Sequence, residues 1–159
     1  MALGTLVEDG DRRTVRFHRR LEASVEEVWD ALVEPQRLRR WLAEASVDAR
    51  EGGAVDLRFT DETGGRVTGT IRVFDPPRVL EYEWRFEGEQ DSVVRFELRA
   101  SGGGTELTLV HRRLGADAAK GYSAGWHAHL DLLEEALAGE VRMDWQERFE
   151  ALLPEYVSG

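Results

Sequence analysis

Between Leu80 and Glu87 the chain alternates without a break, with Leu80, Tyr82, Trp84 and Phe86 on one side and Glu81, Glu83, Arg85 and Glu87 on the other. A period of two predicts a strand with one buried face. Four bulky side chains in that row, two with polar tips, predict a wall more than a tightly interdigitated core. The same alternation begins at Val15 and Phe17 and runs to Leu21, opposite a wet row of Arg16, His18 and Arg20. Further strands are predicted over 47–49, 54–60, 66–74, 94–100 and 107–111, where His111 falls on the inward face. Gly52-Gly53, residues 61–65, Asp75-Pro76-Pro77 and Gly102-Gly103-Gly104 supply the turns. Strands joined by hairpins imply an antiparallel sheet, since parallel pairing needs crossovers.

The period changes to 3.6 in four places. Ser24-Val25-Glu26-Glu27 is a capping box and starts a helix whose core contacts are Val28, Trp29 and Leu32. Pro35 suits the first turn of a second helix with Leu38, Trp41 and Leu42 on one side. A long helix is expected from about Tyr122 to Gly139, after a loop over 114–120. Its stripe is Trp126, Leu130, Leu133 and Leu137, with His129 and Ala136 at the flank and Asp131 and Glu135 opposite. A short last helix over 143–153 carries Trp145, Phe149, Leu152 and Leu153. Residues 1–12 show no periodicity and read as a loose lead-in, residues 13–140 as the domain, and residues 141–159 as an appended helix packed on the domain or extending from it.

Composition narrows the functions. The 159 residues are 42% hydrophobic and 33% charged, with a net charge of −10 and no cysteine. One globular domain is expected, with no disulfide framework, no thiolate metal site and no cysteine nucleophile. The Arg-Arg pairs are scattered among carboxylates and form no basic stripe, which argues against a nucleic-acid partner. No run approaches the length of a membrane span and no signal-peptide core is present, so a cytoplasmic protein is expected.

Four segments in order, 23–32, 37–42, Thr108-Leu109-Val110-His111 and Gly125-Trp126 with its following leucines, resemble the START-like (SRPBCC) helix-grip superfamily. The resemblance is to its branch related to the activator of the Hsp90 ATPase. It implies an α+β fold: a seven-stranded antiparallel sheet curled around a long C-terminal helix, with two short helices after the first strand. It also implies an apolar cavity between sheet and helix, and bacterial members that bind varied hydrophobic small molecules. On that reading Trp41, Phe59, Tyr82, Trp84 and Trp126 are candidate cavity walls, with His111 and His129 as polar fixtures.

Several patterns that suggest catalysis fail on context. Gly121-Tyr122-Ser123-Ala124-Gly125 fits the G-x-S-x-G elbow, but no parallel strand precedes the serine and no histidine follows Asp131. Ser123, His127 and Asp131 recur at i, i+4, i+8 on a flank expected to face outward. His127 and His129, two apart on a helix, diverge by about 200° and cannot chelate one ion. Asp56 on an outward strand face and Asp61 in a turn give no acid–base pair. No cofactor, metal or catalytic residue is expected.

The leading expectation is non-catalytic binding of a small hydrophobic or aromatic molecule. A polyketide cyclase or aromatase-like enzyme using a cavity histidine is one alternative. The other is a chaperone-associated interaction domain working through its acidic surface and the Arg37–Arg40 helix. A protein partner or a second copy of the chain remains compatible with all three.

Overall fold

The computed structural model describes residues 3–60 and 64–157. Eight strands form a single antiparallel sheet in the order β1-β2-β8-β7-β6-β5-β4-β3. They are β1 Thr5–Asp9, β2 Arg12–Leu21, β3 Glu44–Val47, β4 Ala54–Arg58, β5 Arg66–Asp75, β6 Val79–Phe86, β7 Ser92–Ser101 and β8 Gly104–Gly115. Helices α1 Val25–Val33 and α2 Pro35–Trp41 carry the chain from β2 to the opposite edge, and α3 Ala116–Leu137 lies in the curl of the sheet with α4 Trp145–Val157 against it. Among the described residues no helix is long and apolar enough to cross a membrane.

The core follows the alternation. Phe17 of β2 pairs with Leu109 of β8, Leu109 pairs in turn with Phe96 of β7, and Phe96 with Leu80 of β6. These inward side chains are fully buried, or nearly so, beneath Trp126, Leu130 and Leu133 of α3. The serine half of the capping box forms: Ser24 Oγ accepts the Glu27 N–H at 3.2 Å and opens α1. Removing that cap, Ser24→Ala, is expected to lower stability by about 1 kcal/mol in a urea titration. Between β5 and β6 the register slips from Ile71 to Val73. Only glycine fits nearby at position 69, where an added Cβ would stand 1.8 Å from the Glu83 carbonyl oxygen.

The structure differs from the sequence reading in five places. The segment read as loose lead-in contains β1, making eight strands instead of seven. All five β1 residues are exposed, so backbone pairing with β2 holds the strand where no apolar period could announce it. Strand β3 sits at 44–47 instead of 47–49, a half-exposed edge with a correspondingly weak pattern. Helix α3 begins at Ala116, absorbing the expected loop. Its N-cap, Gly115, offers no side-chain hydrogen bond to signal a start. Helix α4 runs through Pro154 to Val157 instead of ending at 153, the fixed φ of the proline ring being compatible with helical backbone.

The fifth difference concerns the flank of α3. Ser123 and His127 are fully buried and Asp131 is partly buried, covered by α4 and by β2. Asp56 pairs with Arg66 at 2.6 Å on the outer face, and Asp61 lies outside the described residues.

Candidate functional site

Along its second half α3 packs directly on the sheet, with Leu130 and Leu133 fully buried. Along its first half it stands away and leaves a cavity of about 360 Å³. Phe59, just after β4, Trp84 of β6 and Trp126 of α3 form its floor. Trp84 lies 5.3 Å from Trp126 and 6.0 Å from Phe59, ring centre to ring centre. Helix α4 supplies the opposite wall. Trp145 stacks on His129 at 5.0 Å and on Phe149 at 4.9 Å, and its indole N–H donates to the Gly125 carbonyl at 3.3 Å. Gly121 and Gly125, one turn apart, both line the cavity: an added Cβ would meet nothing within 4 Å at the first and make only an ordinary 3.7 Å contact with the Trp145 ring at the second. Ser123 between them is buried and donates to the Ala119 carbonyl at 3.0 Å inside the helix.

Of the seven cavity candidates, Phe59, Trp84, Trp126 and His129 line this space; Trp41, Tyr82 and His111 do not. Trp41 is buried behind it, where its N–H donates to the Ala31 carbonyl at 2.8 Å and its own carbonyl lies 2.8 Å from His129 Nδ1. A carbonyl can only accept, so that nitrogen of His129 carries the proton. Tyr82 packs against Leu57 and Ile71 where no space remains, and burial raises its phenol far above the usual range.

His111 lies one layer behind the wall. Trp126 Nε1–H donates to its Nδ1 at 2.9 Å, and its Nε2 lies 2.7 Å from Ser92 Oγ. An indole can only donate, so Nδ1 is the acceptor and Nε2–H donates to the serine, which in turn donates to the Trp84 carbonyl at 3.3 Å. Burial holds the His111 pKa down to about 3. Both ring nitrogens are occupied in a neutral tautomer, so His111 fixes Trp126 and has no nitrogen left for a proton from a ligand.

Local periodicity gave no hint of the polar end of the cavity. Tyr122 accepts the Trp84 indole N–H at 2.9 Å and donates to Glu89 Oε1 at 2.6 Å. Burial, then the Glu89 carboxylate, raises the Tyr122 phenol well above its ordinary range, so its proton stays in place. Glu89 and Asp117, both exposed, stand at the mouth. Trp145 and Phe149 were the findable pair, because their i, i+4 spacing puts two aromatic rings on one helix face.

The buried flank of α3 is a separate network. Asp131 accepts from Arg19 at 2.9 Å and from Arg148 at 2.8 Å, and His127 Nδ1 lies 2.8 Å from the Tyr156 hydroxyl, which takes the Gly4 N–H at 2.9 Å. Burial outweighs the pull of Asp131 and lowers His127 to about 4. These contacts tie both ends of the chain to α3. His127 and His129 thus face different partners, and Arg37 and Arg40 of the basic helix are engaged by Glu34 and the Gly139 carbonyl.

Comparison with known proteins places this geometry. The family model for activator of Hsp90 ATPase homolog 1-like protein matches residues 22–138. None of the curated proteins matches. The crystal structure of CalU16 from Micromonospora echinospora is similar at 34% identity and a TM-score of 0.74, over 99% of this chain and 97% of that one. The solution structure of the protein encoded by gene BPP1335 of Bordetella parapertussis is 31% identical with a TM-score of 0.75, over 94% of this chain and 86% of that one. DynU16, a protein in the dynemicin biosynthetic locus, shares the fold at 24% identity and a TM-score of 0.72, over 82% of this chain and 48% of that one.

Proposed function

The chain belongs to the family of activator of Hsp90 ATPase homolog 1-like proteins, and from that premise we propose that it binds a small hydrophobic or aromatic molecule between its sheet and α3, without transforming it. The cavity carries this reading. Its volume, about 360 Å³, falls within the range of roughly 300–1,000 Å³ typical of small-molecule sites, and its walls are indole and phenyl rings with few polar groups. The rings are held before any ligand arrives: Trp126 by His111, Trp84 by Tyr122, Trp145 by Gly125. Such preorganisation lowers the ordering cost of binding. A binding role also suits the occupied ring of His111 and the internal bond of Ser123, which engage two of the groups a catalytic reading would use.

Gly121 provides the test. It lies in mid-helix facing the cavity with open space around it, so Gly121→Leu should fill the site without displacing backbone. Leucine also raises helix propensity by about 0.8 kcal/mol over glycine. The variant is expected to fold at least as stably as the parent and to bind a neutral solvatochromic dye such as Nile red at least about tenfold more weakly, a loss of 1.4 kcal/mol. Native mass spectrometry of the freshly purified parent is expected to reveal a co-purified small molecule that the variant lacks. Equal dye binding by both proteins would place the dye elsewhere and defeat the proposal.

A further inference from the structure

We propose that the occupant is cationic: an aromatic or alicyclic body bearing an ammonium group, held with its charge at the mouth beside Glu89 and Asp117. This rests on the binding role proposed above and deepens it. Among the described residues lining the cavity there is no lysine or arginine, while two carboxylates stand at its opening. An anionic head group would meet like charge and no lysine or arginine; a neutral donor could hydrogen-bond to either acid but would gain no charge attraction. A cation gains twice. It reaches the carboxylates, and it lies against the aromatic rings that line the cavity, whose faces attract positive charge through the ring quadrupole.

The hydrogen bonds support the same orientation. Trp84 spends its N–H on the Tyr122 hydroxyl, and that hydroxyl spends its proton on Glu89 Oε1. The side-chain donors of Trp84 and Tyr122 are thus already committed. Glu89 is held in place by the same bond with acceptor capacity to spare, because a carboxylate takes several hydrogen bonds. The N-terminal turn of α3 is a source of partial positive charge, and Asp117 within that turn offsets it.

Three probes with one naphthalene body separate the possibilities: naphthylmethylamine, naphthylmethanol and naphthoate, titrated calorimetrically at neutral pH into the full chain. The amine is expected to bind about tenfold more tightly than naphthoate, with the alcohol between them. Glu89→Gln keeps an oxygen for Tyr122 to donate to but removes the charge. It should cut the amine-to-naphthoate preference by about fivefold at low salt. Gly121→Leu should abolish binding of all three, which separates cavity binding from general attraction of a cation to a chain of net charge −10. Naphthoate binding as tightly as the amine, or an amine preference that survives Glu89→Gln, would overturn the inference and leave the pocket reading standing. Failure of every probe to bind would overturn both.

Discussion

Replacing His111 with leucine is expected to destabilise the protein by about 3 kcal/mol, a large share of the 5–15 kcal/mol typical of a domain. The loss comes mainly from what is left behind. Trp126 Nε1–H has one partner, His111 Nδ1, and both rings are at most 2% exposed. Leucine leaves that donor buried and unpaired, at a cost of about 1–3 kcal/mol, and also removes the bond to Ser92. A double-mutant cycle with Trp126→Phe isolates the effect. Phenylalanine has no donor to orphan, so the two substitutions together should cost about 1–2 kcal/mol less than their separate sum. Urea denaturation of the four proteins gives the comparison, and strict additivity would show that the indole is not held by this histidine. Stability is the informative readout, because His111 serves the cavity through Trp126 and does not line it.

Acidification should destabilise the same protein strongly, and His111 sets the slope. In the unfolded chain a histidine takes a proton near pH 6.5, whereas in the fold His111 stays neutral down to about pH 3. Between those values the unfolded state binds one more proton than the native state, so stability falls as pH falls, by about 1.4 kcal/mol per unit. From pH 6.5 to pH 4 the accumulated loss is about 3 kcal/mol, with a ceiling of about 5 kcal/mol near pH 3. His127, lowered to about 4, adds in the same direction. Glu81 does too. Burial alone would raise its pKa, but hydrogen bonds from Arg112 and Arg95 outweigh that and hold it low, so its contribution is lost as pH falls through the folded value. His111→Leu removes the first contribution. Its stability should decline less steeply between pH 6 and pH 4 than the parent's, by about 1.4 kcal/mol per unit. Parallel slopes in denaturant titrations would mean that His111 already carries a proton in the native state.

These predictions turn on contacts that connect distant parts of the chain, and there the sequence was least informative. The inward position of His111 was legible, because a period-two strand fixes the face of every residue on it. Its partner was not. Trp126 follows fifteen residues later on another element, and Ser92 belongs to a neighbouring strand. Tyr82 illustrates the converse case. Alternation placed it correctly in one row with Trp84, yet the row passes from closely packed core at Tyr82 to cavity at Trp84 within two residues. Whether a buried face meets side chains or empty space depends on how the opposing helix sits, which no single strand encodes. The flank of α3 is similar. Its polar sequence predicted solvent, but Arg19 from β2 and Arg148 from α4 neutralise Asp131 and let α4 cover it.

By itself, then, the sequence determined the class of fold and most of its elements. Period-two and period-3.6 burial, turn residues and caps are local signals, and the order of four weak motifs was enough to point to the family. It also spoke against the elbow serine, through the missing parallel strand and downstream histidine, and against a chelate by His127 and His129, through helix geometry. The tertiary structure decided the rest. It added an eighth strand that only backbone pairing could create, and it set the gap between α3 and the sheet. It made α4 a cavity wall and brought Glu89, Tyr122 and Asp117 to one opening. The eighth strand is a local hairpin with β2, held by backbone bonds that leave no apolar period. The other three depend on the relative placement of elements far apart in sequence, fixed by long-range packing and hydrogen bonds, whereas periodicity reports only which side of one element is removed from water.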